Sequence, residues 1–186
     1  MKDRIFQMIV EHNELGRTLS PLIPLIEHAA TVIVDALKKG NKLMVMGNGG
    51  SASQASHLAG EIVGRYKKER KGWPCISLAS DTAILTAVGN DYGFEKIFER
   101  QIESFAKQGD VVIALSTSGT SENILRGLEK AEELGCSCIT LTGKDGGDMK
   151  TMGINIHIPS NNTPRIQEFH LLLIHILCEL VEEAMG

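Results

Sequence analysis

The sequence predicts an α/β protein, a three-layer doubly wound fold built on a five-stranded parallel sheet and preceded by two N-terminal helices. Five short apolar runs each end at, or directly before, glycine, serine or proline, and most lie roughly 25 to 35 residues apart, which leaves room for one helix between neighbours. The runs are residues 43–47, 75–79, 111–115, 137–142 and 154–159. The composition agrees, since 42% hydrophobic and only 4% aromatic residues are typical of sheets covered by helices.

About forty residues with helical periodicity precede the first strand. Ser20 and Pro21 interrupt this segment, and these residue types cap and open helices, so the sequence predicts two helices. The two helices either cover one edge of the sheet or pack against a second copy of the chain. We expect a single domain over residues 1–186, with residues 1–40 serving oligomerisation and residues 41–186 forming the ligand-binding core.

The last segment, residues 164–185, is predicted to form one long helix. It is very apolar from Phe169 to Val181, apart from two histidines and Glu179. A helix of this kind needs burial on nearly all sides, which favours a place in an oligomer interface.

The net charge of −4 excludes a broad basic surface, so nucleic acid is not expected as a partner. No apolar segment is expected to reach the ~20 residues that cross a bilayer, and the N-terminus lacks the apolar stretch of a signal peptide. All four cysteines lie in apolar runs and are expected to be buried free thiols: Cys75, Cys136, Cys138 and Cys178. These features predict a cytoplasmic protein without a membrane partner.

Two strand-to-helix loops have the composition of phosphate-binding loops. The first loop, residues 47–53, contains Asn48, Gly49, Gly50 and Ser51, and its glycines allow backbone N–H groups to face an anion at a helix N-terminus. The second loop, residues 116–121, offers hydroxyl groups around one glycine, from Ser116, Thr117, Ser118, Thr120 and Ser121. In a parallel sheet both loops lie at the carboxyl edge, where ligands bind, so together they predict a monophosphate ester as ligand.

Lysine is absent from both loops, which excludes a Walker-type nucleotide loop. Ser121 is also a candidate N-cap for the helix that follows.

A histidine and a carboxylate lie one turn apart in the helix after the first loop. His57 and Glu61 are at positions i and i+4, a spacing that suits either a shared divalent metal or a structural pair. In the last helix His175 lies among leucines and isoleucines, either as a core histidine or as a group placed in a dry site.

Gln167 precedes His175 by eight residues, ~12 Å along an ideal helix, which is awkward for two ligands of one ion. Either Gln167 lies at a frayed helix start, or the two residues serve sites completed by different subunits.

The motifs together resemble the phosphoheptose isomerases of the sugar isomerase (SIS) domain family. The matching segments are GNGGSASQASHLAGEIVGRY, VGNDYGFEKIF, ALSTSGTSENIL, LTGKDGG and RIQEFHLLLIHILCEL, which together extend over nearly the whole chain. The resemblance implies a flavodoxin-like doubly wound fold, a homotetramer with active sites at subunit interfaces, and isomerisation of sedoheptulose 7-phosphate to D-glycero-D-manno-heptose 7-phosphate. The product would serve nucleotide-activated heptose synthesis for lipopolysaccharide, capsule or S-layer.

Site residues follow from the same resemblance, position by position. It implies one zinc ion per subunit, bound by His57, Glu61, Gln167 and His175, with Glu61 and His175 as the acid/base pair. It also implies substrate contacts from Asn48, Gly49, Gly50, Ser51, Glu61, Asn90, Asp91, Ser116, Thr117, Ser118, Ser121 and Gln167.

Two other functions compete with this interpretation. A non-catalytic SIS protein that binds a protein partner would keep the phosphate loops without needing the acid/base residues. An isomerase of another sugar phosphate, with five or six carbons, would keep both.

Overall fold

The computed structural model describes residues 1–186 and has five parallel strands in the order β2-β1-β3-β4-β5, with helices on both faces. The strands are β1 (Leu43–Gly47), β2 (Cys75–Ser77), β3 (Val111–Ser116), β4 (Ser137–Thr142) and β5 (Ile154–His157). The helices are α1 (Lys2–Arg17), α2 (Ile23–Lys38), α3 (Gly50–Val63), α4 (Thr82–Tyr92), α5 (Glu99–Phe105), α6 (Glu122–Glu133) and α7 (Thr163–Met185). The predicted fold class is confirmed.

Alternation along the strands divides the core into two layers. In β1, Leu43 and Val45 point into the layer beneath α2, α3 and α7, whereas Met44 and Met46 point into the layer beneath α4, α5 and α6. All four side chains are fully buried. Successive strand residues face opposite sides of a sheet, so a strand covered on both faces is apolar at every position.

The connections depart from the predicted pattern of one helix between neighbouring strands. Two helices, α4 and α5, lie between β2 and β3, whereas β4 and β5 are joined only through a 3-10 helix, Asp148–Thr151. β2 is also shorter than predicted, ending at Ser77. Short apolar runs locate strands well, but they carry no information about what fills the space between them.

The N-terminal region forms two helices as predicted, although the second begins later. Ser20 and Pro21 lie in a separate 3-10 helix, and α2 begins at Ile23 with Pro24 in its first turn. α2 packs against α7 and the sheet, whereas α1 buries only Leu15. α2 thus lies over one face of the sheet, whereas α1 contacts α7, where His12 stacks on Phe169.

One part of the Lys2–Lys38 segment is long and apolar enough, by length and composition alone, to cross a membrane. Its mean hydropathy is 1.3 and 33% of the window is buried inside the protein. The expectation that no segment reaches this threshold was therefore too strict. α2 nevertheless buries Ala29, Ile33 and Leu37 in the core, as a helix of a globular domain does.

All four cysteines are free and buried, as predicted. Burial raises the pKa of the Cys75, Cys138 and Cys178 thiols to about 12, so these side chains remain protonated and serve as small apolar core residues.

Candidate functional site: two phosphate loops and a His/Glu/His cluster

The two predicted phosphate loops lie side by side, because β1 and β3 are neighbours and both loops leave the carboxyl edge of the sheet. In the first loop the chain turns at Gly49, whose φ of 55° is in the left-handed region, and α3 begins at Gly50. The backbone N–H groups of Gly49 and Gly50 make no hydrogen bond within the chain. They are free to bind an anion at the positive end of α3.

The second loop is a network of hydroxyl groups. The Ser116 hydroxyl accepts a hydrogen bond from the Gly119 N–H at 3.1 Å and lies 3.3 Å from the Ser121 hydroxyl. The Ser118 hydroxyl accepts from the Thr120 hydroxyl at 3.1 Å. Ser121 occupies the predicted N-cap position of α6, but its side chain makes no capping bond. Its hydroxyl is turned toward the cavity residue Ser116 instead.

A small polar cavity of about 80 Å³ lies between the two loops. It is lined by Asn48, Ser51, Leu115, Ser116, Thr117, Ser118, Ser121, Ile124 and Gln167. Its volume equals that of a few water molecules at ~30 Å³ each, a size suited to a phosphate group rather than a nucleotide. We call this the phosphate pocket. The structure thus places seven of the predicted substrate residues around one cavity, with Gly49 and Gly50 in the adjoining turn.

Two glycines allow the close approaches that shape the phosphate pocket. A Cβ at Gly119 would lie 2.0 Å from the Gly146 carbonyl oxygen, so the LTGKDGG segment packs directly beneath the second loop. A Cβ at Gly50 would lie 2.5 Å from Gln167 Nε2, so the absence of a side chain admits Gln167 to the pocket. Contact distances of this size exclude any other residue without displacement of the neighbour.

His57, Glu61 and His175 converge at the seam between α3 and α7, where we call them the His/Glu/His cluster. His57 Nε2 lies 3.0 Å from Glu61 Oε1 and 3.4 Å from His175 Nε2. One ligand atom from each residue lies within 4.8 Å of the others. The rings of His57 and His175 meet edge to face with centroids 5.1 Å apart. The His175 side chain is therefore not a core histidine, since it faces the opposite helix.

The cluster has the donor set and spacing of a divalent-metal site. Two imidazole nitrogens and a carboxylate oxygen are common zinc ligands, and bonds of ~2.0–2.1 Å in a tetrahedron separate ligand atoms by ~3.4 Å. The distance between the two Nε2 atoms is 3.4 Å. His57 and Glu61 side chains retain 41% and 23% exposure, so the cluster is open to solvent on one side. The residues present therefore fit a metal ion.

A buried ion pair holds the C-terminal end of α3 against α7. Arg70 Nε donates to Glu182 at 3.0 Å, and both side chains are nearly inaccessible, at 8% and 3% exposure. The same guanidinium donates to the carbonyl oxygens of Glu61 and Ile62, the last turn of α3. Trp73 covers it, with the ring centroid 3.6 Å away. This pairing sets where α3 presents Glu61 to α7.

The backbone between α3 and β2 reinforces this attachment. The Glu182 carboxylate accepts backbone N–H groups of Tyr66, Lys67 and Lys68. Burial alone would raise the pKa of Glu182, but these donors and Arg70 outweigh it, so the pKa is lowered and the carboxylate stays charged.

Gln167 lies inside α7 and not at a frayed end. The helix begins at Thr163, so the first explanation offered for the spacing between Gln167 and His175 is wrong. Gln54 Nε2 donates to the Gln167 carbonyl at 2.6 Å, which anchors α7 to α3 at this point. The Gln167 side chain lines the phosphate pocket, two helical turns before the His/Glu/His cluster.

Asn90 and Asp91 stand apart from the other predicted residues. Both are exposed at the C-terminal end of α4, and their recorded side-chain hydrogen bond is to each other, at 2.8 Å. They do not line the phosphate pocket of the same chain.

Sequence reasoning missed two residues that touch the predicted ones. The Tyr66 ring lies 5.9 Å from the His175 ring, and the Asn123 side chain pairs with Asn48. Both residues occur inside motifs noted in the sequence, GRY and SEN. Their partners are distant in sequence, so spacing alone could not identify these contacts.

Comparison with known proteins agrees with this geometry. A family model described as SIS domain matches residues 14–143. The phosphoheptose isomerase of Citrifermentans bemidjiense is 56% identical over 165 residues, which cover 88% of this chain and 86% of that protein. The chain belongs to the phosphoheptose isomerases of the SIS domain family.

Solved phosphoheptose isomerases share the whole fold. The structure from Francisella tularensis has a TM-score of 0.94 at 36% identity and covers 97% of each chain. The structure from Neisseria gonorrhoeae has a TM-score of 0.93 at 34% identity and covers 98% of each chain. The predicted membership in the SIS family is confirmed.

Proposed function

We propose that this chain isomerises sedoheptulose 7-phosphate to D-glycero-D-manno-heptose 7-phosphate, with the phosphate in the phosphate pocket and the carbonyl end at the His/Glu/His cluster. One observation carries the proposal: α3 begins at the first phosphate loop and presents His57 and Glu61 further along, where His175 meets them from α7. A protein that only binds a partner has no need of this convergence.

Glu61 acts as the base in the proposed reaction. Its carboxylate removes a proton from C1 of the ketose, and the electron pair forms the C1–C2 double bond of an enediolate, leaving negative charge on the C2 oxygen. The C1 hydroxyl passes its proton to the C2 oxygen, the imidazolium of His175 donates a proton to C2 as the C1 carbonyl forms, and the proton held by Glu61 returns to His175 through solvent. Carboxylate and imidazole are suitable groups for such transfers when they lie beside the reacting atoms.

A zinc ion, one per subunit, is proposed at the cluster with His57, Glu61 and His175 as ligands. Because Gln167 lies two turns of α7 from His175 in the same chain, the fourth ligand is proposed to be Gln167 of a neighbouring subunit. When bound it polarises the carbonyl oxygen and stabilises the developing negative charge. Glu61 holds a double role, as ligand and base, and its partly exposed side chain has room to turn toward C1. Gln167 contacts the substrate from the phosphate pocket.

The length of α3 supports a seven-carbon substrate. Six residues separate Ser51 from His57 and ten separate Ser51 from Glu61, which corresponds to ~9 and ~15 Å of helix axis. An extended heptose 7-phosphate spans roughly 9 Å from phosphorus to C2, given bonds of ~1.5 Å. A pentose 5-phosphate is roughly 2.5 Å shorter on the same bond lengths and would leave its carbonyl short of the cluster.

Phosphate recognition is assigned to the two loops. The hydroxyl groups of Ser51, Ser116, Thr117, Ser118 and Ser121 donate to the phosphate, together with the free N–H groups of Gly49 and Gly50. Asn48 donates from its amide. Without a lysine, the site relies on neutral donors and the N-terminal end of α3, which suits a single phosphate group.

We propose a homo-oligomer, a tetramer, with sites completed by neighbouring subunits. Exposed apolar side chains form a stripe on the N-terminal helices and α7, including Ile5, Phe6 and Ile9 on α1, Ile23 on α2 and Leu180 on α7. A groove of about 340 Å³ lies between α2 and α7 within this stripe. Covering it with a second chain buries the surface that residues 1–40 leave exposed. Asn90 and Asp91 then reach a neighbour's site.

Mixing two inactive variants tests the shared site. We expect Glu61→Gln and Asp91→Ala each to be inactive alone, and about a quarter of wild-type activity to return after unfolding and refolding them together, because random assembly pairs two intact contributors in that fraction of sites. Light scattering on the wild-type protein checks for the tetramer. No recovery in mixed oligomers would place each complete site within one chain.

Direct observation of the reaction tests the function itself. Sedoheptulose 7-phosphate is incubated with the zinc-loaded protein, and the aldose product is followed by NMR. We expect product with the wild type and a loss of about 10²–10⁴-fold in kcat for Glu61→Gln, because a positioned acid or base contributes that factor. In deuterated solvent, turnover should place deuterium on C2 of the aldose.

The Glu61→Gln variant should still bind the substrate, measured by NMR titration. The matched control is Glu69→Gln, an exposed glutamate beyond the C-terminal end of α3. If the zinc-loaded wild type yields no aldose but binds sugar phosphate, the partner-binding alternative replaces the isomerase. Faster turnover of a five- or six-carbon sugar phosphate would shift the substrate instead.

The proposed product serves nucleotide-activated heptose synthesis for a surface glycoconjugate, and the proposed location is the cytoplasm. Four buried thiols with no disulfide agree with a reducing compartment.

A further inference from the structure

Asn123 joins the two phosphate loops through a reciprocal amide pair. Asn48 Nδ2 donates to Asn123 Oδ1 at 2.9 Å, and Asn123 Nδ2 donates back to Asn48 Oδ1 at 2.9 Å. Asn48 belongs to the first loop, and Asn123 is the second residue of α6, directly after the second loop. Asn123 is only 3% exposed, whereas Asn48 is half-buried and faces solvent-accessible space.

The pairing leaves Asn48 with a defined remaining capacity. A side-chain amide has two N–H donors and one carbonyl oxygen with two lone pairs, and the pair uses one donor and one lone pair of each residue. One N–H of Asn48 therefore remains for a ligand. The two hydrogen bonds also restrain the side-chain torsions of both residues, so this N–H has a narrower range of directions than in a freely rotating side chain.

Asn48 lines two neighbouring cavities. It lines the phosphate pocket and also an open groove of about 570 Å³, which is bordered by Phe94, Glu95, Ser121, Glu122, Asn123 and Arg126. If Asn48 rotated away, the wall between pocket and groove would open and water would enter beside the bound phosphate. The buried partner on α6 prevents that rotation.

We propose that Asn123 is a positioning residue for sugar-phosphate binding: it orients the Asn48 amide toward the phosphate pocket and fixes the separation of the two loops. This inference rests on the proposed function for the identity of the ligand. Asn123 does not touch the substrate, because its own polar atoms are buried against Asn48. Its contribution passes through Asn48.

A double-mutant cycle tests this chain of action, with Asn48→Ala, Asn123→Ala and the double variant. We expect Asn123→Ala to raise KM for the sugar phosphate about tenfold and to weaken inhibition by inorganic phosphate by the same factor, as loss of one oriented hydrogen bond to a charged group predicts. At saturating substrate kcat should stay within about threefold, since the reacting atoms lie at the other end of the site.

In the Asn48→Ala background the second substitution should change KM by less than about twofold, because Asn123 then has nothing to orient. Effects that multiply in the double variant would show that Asn123 acts independently of Asn48, and would overturn the proposal. An unchanged KM in folded Asn123→Ala would overturn it as well.

Asn123→Asp keeps the size of the side chain and covers the case in which alanine destabilises α6. Aspartate accepts from Asn48 but cannot donate to it, and it adds a negative charge near the phosphate, so KM should rise more than in Asn123→Ala while the melting temperature changes little. The exposed Asn13 on α1 provides the control variant Asn13→Ala.

Binding of inorganic phosphate, followed by ³¹P NMR titration, separates this proposal from the proposed function. If the wild type binds phosphate and the uncharged variant Asn123→Ala binds it about tenfold more weakly, Asn123 retains its role even if sedoheptulose 7-phosphate proves not to be the substrate. If both proteins bind phosphate equally, the proposal fails whatever the reaction.

Discussion

The two ends of the proposed active site differ in how completely a single chain builds them. The phosphate pocket is enclosed by two loops that hydrogen-bond internally and to each other, through Ser116, Ser118 and the Asn48–Asn123 pair. The His/Glu/His cluster instead lies on the outer seam of α3 and α7, with His57 still 41% exposed. One end is preorganised for its ligand, and the other is open to solvent on one side.

The difference follows from what each end has to do. A phosphate keeps its charge and shape throughout the reaction, so fixed neutral donors bind it at no cost in reorganisation. In the proposed reaction the carbonyl end exchanges protons and includes a carboxylate proposed as both ligand and base. Side chains at such a site need room to move, which a packed core does not provide. The predictions below test this division.

Removal of the metal should have the largest effect and should affect only the carbonyl end. We expect dialysis against a chelator, or His57→Ala, to lower kcat about 10³-fold, because transition-state charge loses several kcal/mol of stabilisation. KM and inhibition by inorganic phosphate should change less than about threefold. Steady-state kinetics with metal analysis of each sample checks this, and zinc should restore only the dialysed wild type.

The matched control for His57→Ala is His28→Ala, an exposed histidine on α2. Full turnover by protein whose metal content has been measured as zero would contradict the proposed role of zinc.

Acid should lower the free energy of unfolding, through α7, the helix that contributes residues to both ends of the proposed site. His170 of α7 is fully buried, with Nε2 3.2 Å from the Thr142 carbonyl, and burial lowers its pKa from 6.5 to about 4. The unfolded chain therefore binds more protons between these values. The stabilisation is complete above pH 6.5 and is lost as pH falls through about 4, amounting to ~3 kcal/mol at that point.

Urea unfolding at pH 7.5 and pH 5 tests the acid effect in the wild type and in His170→Gln. The wild type should lose ~2 kcal/mol more than the variant over this interval, because only its unfolded chain gains a histidine proton that the folded state excludes. His28→Gln should show the same loss of unfolding free energy between the two pH values as the wild type. An equal loss of unfolding free energy in the wild type and His170→Gln would mean that burial does not lower the pKa of this histidine.

Loss of one hydroxyl in the phosphate pocket should have the smallest effect and should leave the chemistry intact. We expect Ser116→Ala to raise KM about tenfold, corresponding to ~1.5 kcal/mol for one hydrogen bond to a charged group, with kcat within about twofold. The exposed Ser104 on α5 provides the control Ser104→Ala. A fall in kcat without a change in KM would show that the two ends are not separate.

Much of the fold was readable from the sequence because its strands are apolar at every position and its loops end them with glycine or serine. β1 and β4 have the predicted bounds. The 3-10 connection between β4 and β5 was not readable, because periodicity reports the faces of an element and not the length of the crossover. α2 begins later than predicted because Pro24, and not Pro21, occupies its first turn.

The sequence predicted the site residues that are placed by spacing along one helix. It did not predict contacts between residues on two different elements. His57 and Glu61 share a face of α3 by their spacing alone, whereas the approach of His175 depends on how α7 packs. The Asn48–Asn123 pair spans 75 residues of sequence, and the Arg70–Glu182 pair spans 112. No local pattern identifies such partners.

α3 is one unbroken helix from the first phosphate loop to Glu61. The number of residues in this segment therefore tolerates less change than the identity of its side chains. Inserting or deleting a single residue between Ser51 and His57 would rotate His57 and Glu61 by ~100° about the helix axis and turn them away from His175. A full extra turn would restore the direction but shift them by ~5.4 Å, the length of several carbons. Evolution or engineering toward other sugars is thus confined to exchanging side chains in this segment, without changing its length.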